Sequence, residues 1–190
     1  MIDDKRLSEL VEDYLGDSEH GRKLDVYLRH VRRLPLPDAI LRAGYRIDGK
    51  VHDHQHLVGR TKLDRASRAI LRHIDEIKRC RTLDDLLLLI GRHTEHILGF
   101  GRLAQYDFAL RIGACLNMWP TAVYLHAGTK KGCGYLHLSA RGKYVELAAL
   151  PKPVQSLKPH HAENFLCIYK DCFSRSTAAP RSRLPNSGIC

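Results

Sequence analysis

Residues 83–118, LDDLLLLIGRHTEHILGFGRLAQYDFALRIGACLNM, decide the fold because they set a Gly-Phe-Gly turn between two helical patterns. Thr82 with Asp85 matches a capping box at the head of the first pattern, each satisfying a backbone N–H that a helix start leaves bare. Residues 86–90 are apolar on every side, which predicts a central, mostly buried helix. In the turn, Gly99 and Gly101 open backbone conformations closed to other residues and expose N–H groups of the following helix, where an anion is welcome. Arg102 adds a cation beside them. On the second helix Ala109, Ile112, Gly113 and Leu116 form a packing stripe, while Asp107 and Arg111, one turn apart on the other face, read as a helix ion pair.

Helical spacing continues towards the N-terminus. Leu7, Leu10, Val11 and Tyr14 make one apolar stripe that ends near Gly16. Leu24, Tyr27, Leu28, Val31 and Leu34 make another, stopped where Pro35 and Pro37 remove amide donors, and its opposite face carries Arg22, Lys23, Arg29, Arg32 and Arg33. A short helical piece spans 39–43. Residues 44–59, polar and rich in histidine, carry no stripe and read as a loop or a short hairpin. Leu63, Ala66, Ile70, Ile74 and Ile77 then restore helical spacing.

Beyond Thr121 the period changes. Val123 and Leu125 alternate with Tyr124 and His126, and Leu136 and Leu138 with Tyr135 and His137, which predicts short strands, with a turn at 141–143 leading into 144–147. Pro151, Pro153 and Pro159 punctuate a linker, after which Phe165, Leu166, Ile168, Tyr169 and Phe173 form a terminal element that docks back. Residues 174–190 mix Ser, Pro and Arg and read as a disordered basic tail. The expected fold is thus mainly α: one helical domain over 1–173, with a helix-hairpin-helix-like element at about 83–118 and a small β-hairpin in the C-terminal third.

With 31 Lys and Arg against 21 Asp and Glu, the formal net charge is +10, which favours a polyanionic partner: basic side chains neutralise phosphates and release condensed counterions. Nucleic acid leads, DNA ahead of RNA. A membrane surface does not fit, since no helical pattern pairs a broad apolar face with a uniformly basic one. The six cysteines, Cys80, Cys115, Cys133, Cys167, Cys172 and Cys190, show no C-x-x-C spacing, so neither a zinc ribbon nor a small disulfide scaffold is indicated. Residues 1–6 run straight into a charged amphipathic pattern without a basic and then apolar leader, so a cytoplasmic location is expected.

Residues 97–126 resemble the helix-hairpin-helix element of the endonuclease III-like DNA glycosylases, whose hairpin sets an apolar residue and Gly-x-Gly before a basic helix start. The resemblance assigns Gly99 and Gly101 as hairpin glycines and Arg102 as a phosphate-side cation. It does not extend to the chemistry: Tyr124 occupies the position of that family's catalytic aspartate, Leu103 that of the nucleophilic lysine, and Gln105 that of a hairpin alanine. The implied function is to hold nucleic acid through phosphate contacts, with Lys130 and Lys131 beside Gly128 and Gly132 as further cations. A second, shorter likeness links residues 124–129, YLHAGT, to the His-Gly-Thr strand of ADP-ribosyltransferases, with Glu146 as the available distal carboxylate and Ala127 interrupting the motif.

His52, His54 and His56 are the densest group of metal-ligand candidates. On a strand they would share one face, where their imidazoles would suit zinc or manganese, and such a metal could activate water for phosphodiester cleavage. A metal-free enzyme acting on nucleic acid would instead use Asp107 and His126 as general acid and base in a pocket lined by Tyr106 and Tyr124. Arg68 and His73 are similar in spacing to the Arg-x4-His motif of HEPN-type ribonucleases. A basic adaptor that binds an acidic protein is the third class.

Overall fold

A computed structural model describes residues 2–16 and 18–174. The tail expected at 174–190 lies, apart from Ser174, outside the described residues. The order of α-helices is α1 (Asp4–Leu15), α2 (His20–Arg32), α3 (Leu36–Arg42), α4 (Arg60–Leu71), α5 (Ile74–Arg79), α6 (Leu83–Thr94), α7 (Arg102–Cys115), α8 (Ala127–Tyr135), α9 (Lys152–Gln155), α10 (Pro159–Ile168) and α11 (Lys170–Phe173). Two short strands, β1 (Val123–Tyr124) and β2 (Tyr144–Val145), pair antiparallel with Val123 opposite Val145 and Tyr124 opposite Tyr144. The fold is mainly α with a small β element in the C-terminal third, as the periodicities predict. No described helix is long and apolar enough to cross a membrane.

The chain divides into two compact units, residues 25–120 and residues 1–24 with 121–190. In the unit of residues 25–120, α6 starts where the capping box requires it. Thr82 Oγ1 accepts from the Asp85 N–H and Asp85 Oδ2 from the Thr82 N–H, at 3.1 and 3.0 Å. The buried central helix, however, is α7 and not α6. Leu88 of α6 is 67 % exposed, whereas Ala104 and every residue from Tyr106 to Ala114 are buried. A run of leucines can be apolar all round and still face water on one side, because burial depends on what packs against each face. α7 is covered by α6 and α3, and α4 packs on α3 and α6. The Asp107–Arg111 pair, expected as a helix ion pair on the face away from the packing stripe, is inside, 4 % and 3 % exposed.

Between α6 and α7, Gly99 adopts φ +88°, a left-handed conformation that favours glycine, while Phe100 folds inward and meets Phe108 edge to face at 5.0 Å. Residues 44–59 form a loop closed by an isolated bridge between Tyr45 and Val51, followed by a 3-10 turn at Asp53–Gln55.

The other unit is built on α10. Phe165, Leu166, Ile168, Tyr169 and Phe173 join Leu7, Leu10, Val11 and Tyr14 of α1 and Val123 of β1 in one core, so the expected terminal element does dock back. Residues 136–138, expected as a strand, instead follow the end of α8: Leu136 N–H bonds back to Gly132 O and Leu138 N–H to Cys133 O. α8 approaches α10 so closely that a Cβ added at Gly132 would stand 2.4 Å from Leu166 O. Gly128 and Gly132 read in the sequence as flanking a turn at Lys130 and Lys131, yet at Gly132 the small residue is what the helix contact needs.

Candidate functional site

In the unit of residues 25–120 the Gly-Phe-Gly turn carries a cation that sequence spacing does not reveal. Lys62 comes from α4, and its Nζ lies 2.9 Å from where a Gly99 Cβ would stand. Gly101 is the N-cap of α7 and has no side-chain cap, and Arg102, the first residue of that helix, is exposed. Lys62, Gly99, Gly101 and Arg102 thus share one end of the α6–α7 pair, with Leu98 90 % exposed beside them. Lys130 and Lys131, expected on a glycine-flanked turn, sit on α8 in the other unit, where Lys131 Nζ bonds Asp171 Oδ1 at 3.0 Å and lies over the Tyr135 ring.

The same unit holds a buried polar network. Asp107 Oδ2 accepts from Gln55 Nε2 at 2.7 Å and meets His54 Nε2 at 2.6 Å, with Arg111 Nη2 3.7 Å away. Arg111 also donates through Nη1 to Ala43 O and, at 3.3 Å, to Gln55 Oε1, and its guanidinium lies over the Tyr27 ring. Burial alone would push the Asp107 carboxyl up, but Arg111, His54 and Gln55 together hold it well below the usual carboxylate range. It is therefore an ionised anchor that ties the loop at 52–55 to α7.

The histidine trio does not share a strand face, because the segment is a 3-10 turn and not a strand. His52 is buried edge-on against Tyr27, with Nε2 lacking a partner, and burial and then Arg111 push its pKa down to about 2. His54 spends Nε2 on Asp107, and His56, 66 % exposed, lies 4.0 Å from Asp53. The rise of a 3-10 turn sends alternate side chains in different directions, where a strand would align them.

His126 and Tyr124 belong to the other unit. His126 caps α8: its Nδ1 accepts from the Gly128 N–H at 3.3 Å, which leaves Nε2 facing Glu163 and, at 2.7 Å, Thr129 Oγ1. Both ring nitrogens are engaged. Glu163 and Thr129 were not legible as partners from spacing. Glu163 belongs to the run PHHAEN at 159–164 of the buried helix α10, where Tyr14 OH of α1 meets His161 Nδ1 at 2.9 Å and accepts from Asn164 Nδ2 at 3.1 Å. Tyr124 pairs through its backbone with Tyr144 in the strand ladder.

Sequence reading also missed a third cluster. His73, from the Arg-x4-His spacing, bonds Glu76 Oε1 through Nδ1 at 2.7 Å, and His93 Nε2 lies 3.6 Å from the same oxygen. Arg68 is exposed on α4. No family model matches the chain, and neither the curated proteins nor the solved structures give a match.

Proposed function

We propose that this protein binds nucleic acid, contacting phosphates at the Gly99–Phe100–Gly101 turn through the N–H groups that open α7 and through the side chains of Lys62 and Arg102. The observation that carries this is the placement of Lys62 Nζ against Gly99, beside an uncapped helix start whose first residue is Arg102. A left-handed glycine, two cations and a bare helix N-terminus are what a phosphate group needs for close approach. The overall charge of +10 supports the same partner. Because phosphate contacts position a protein without reading bases, binding would show weak sequence preference and a steep dependence on salt.

Fluorescence anisotropy of the full chain with labelled duplex DNA, single-stranded DNA and RNA across a salt series tests this. Lys62→Gln and Arg102→Gln should each weaken binding and reduce the slope of log K against log salt by about one. No salt-sensitive binding to any of the three probes would refute the proposal. A larger loss on neutralising Arg29, Arg32 and Arg33 than on changing Lys62 and Arg102 would move the interface to α2.

A further inference from the structure

The cluster at the junction of α4, α5 and α6 plays no part in the binding surface just proposed. His73 is the N-cap residue of α5, Glu76 sits in its first turn, and His93 lies in the last turn of α6, so two segments of the fold bring two imidazoles and a carboxylate to one point. One ligand atom from each lies within 4.8 Å of the others. The two rings are stacked with centroids 3.5 Å apart and planes 13° from parallel. His93 Nε2 is buried without a hydrogen-bond partner.

We propose that His73, Glu76 and His93 bind a divalent transition metal of the zinc class, through one nitrogen of each imidazole and Glu76 Oε1. Imidazole nitrogen and carboxylate oxygen are zinc's ordinary ligands, and tetrahedral bonds of about 2.0–2.1 Å place ligand atoms roughly 3.3 Å apart. The observed separations from Glu76 Oε1, 2.7 Å to His73 Nδ1 and 3.6 Å to His93 Nε2, bracket that spacing. The rings must turn out of parallel for both lone pairs to meet one ion. They have room to do so, since the side chains of His73 and Glu76 are 36 % and 40 % exposed, and that of His93 18 %. Three protein ligands leave a fourth position for water, the composition of an open site and not of a closed structural one. The loop histidines offer no such set, because His54 is committed to Asp107.

The test uses tag-free full-length protein and Zn(II) alone, with affinity measured by competition against a chromophoric chelator and Co(II) absorption as the reporter of the ligand field. Wild type should bind about one equivalent, and Glu76→Gln and His93→Gln should each weaken binding by more than about 100-fold, beyond the 10–100-fold expected for losing a merely supporting partner. His96→Gln, an exposed histidine three residues away, and His56→Gln should leave it unchanged. Circular dichroism shows whether His93→Gln folds; if it does not, the test rests on Glu76→Gln, whose position is half-exposed. Wild-type affinity in Glu76→Gln, or loss of metal only in His56→Gln, overturns the proposal.

Discussion

His54 Nε2 stands 2.6 Å from Asp107 Oδ2, although 53 residues separate them in the chain. That contact, with Gln55 on the same oxygen, fastens an irregular loop to the most buried helix of its unit. Removing one side of such a pair leaves the other side buried and uncompensated.

Asp107→Asn should therefore destabilise the protein by about 3–5 kcal/mol, since Arg111 would lose its counter-charge inside the core. Urea unfolding followed by circular dichroism measures this. A loss below about 1 kcal/mol would show that the network is relaxed by water and does not anchor the loop.

The same network gives stability a pH dependence with two components. His52 is neutral in the fold because its pKa is depressed from 6.5 to about 2, so the unfolded chain takes up a proton first as pH falls below about 6.5. Its contribution is complete above that pH and declines by up to about 1.4 kcal/mol per pH unit below it. Asp107, also depressed, adds a further loss once pH drops through the ordinary carboxylate range. His52→Gln should flatten the slope of unfolding free energy between pH 6.5 and 4.5; an unchanged slope would place the proton uptake elsewhere.

Two glycines on α8, one turn or less apart, should respond in opposite directions. Gly132→Ala drives a methyl to 2.4 Å from Leu166 O and should cost about 3 kcal/mol or more, because backbone and not a flexible side chain stands in the way. Gly134→Ala meets nothing within 4 Å and should stabilise by about 0.5–1 kcal/mol through helix propensity. Thermal unfolding of the two variants decides; equal shifts would mean that α8 does not press against α10 there.

Thr82→Ala removes the acceptor for the Asp85 N–H and should cost about 1 kcal/mol, with Thr82→Ser close to wild type. Differential denaturation of the pair isolates the capping oxygen from the rest of the side chain.

The stripes at Leu7 to Tyr14, at Leu24 to Val31 and at Leu63 to Ile70 were legible because a 3.6-residue repeat needs only local sequence to define a face, and the capping box at Thr82 needs only four residues. The candidate site was legible in its glycines and in Arg102 for the same reason. Lys62 was not, because nothing along the chain shows that α4 ends its reach at Gly99. Nor were the partners of His126 or the stacking of His73 on His93. Asp107 and Arg111 make the same point from inside one helix, since spacing identified the pair but only packing determined that it is buried.

What the sequence determined by itself is the apolar stripes of α1, α2 and α4, the capped start of α6 and the glycine turn at 99–101, since backbone propensity, capping and apolar period act within a few residues, whereas α8 stands where the alternation pointed to turns and strands. Tertiary structure decided which helix becomes the core, which charges are buried and which side chains from distant segments meet, because burial and electrostatic environment belong to neighbours in space. The Gly-Phe-Gly turn is set by the first kind of information. Its cation at Lys62 and the cluster of His73, Glu76 and His93 exist only through the second.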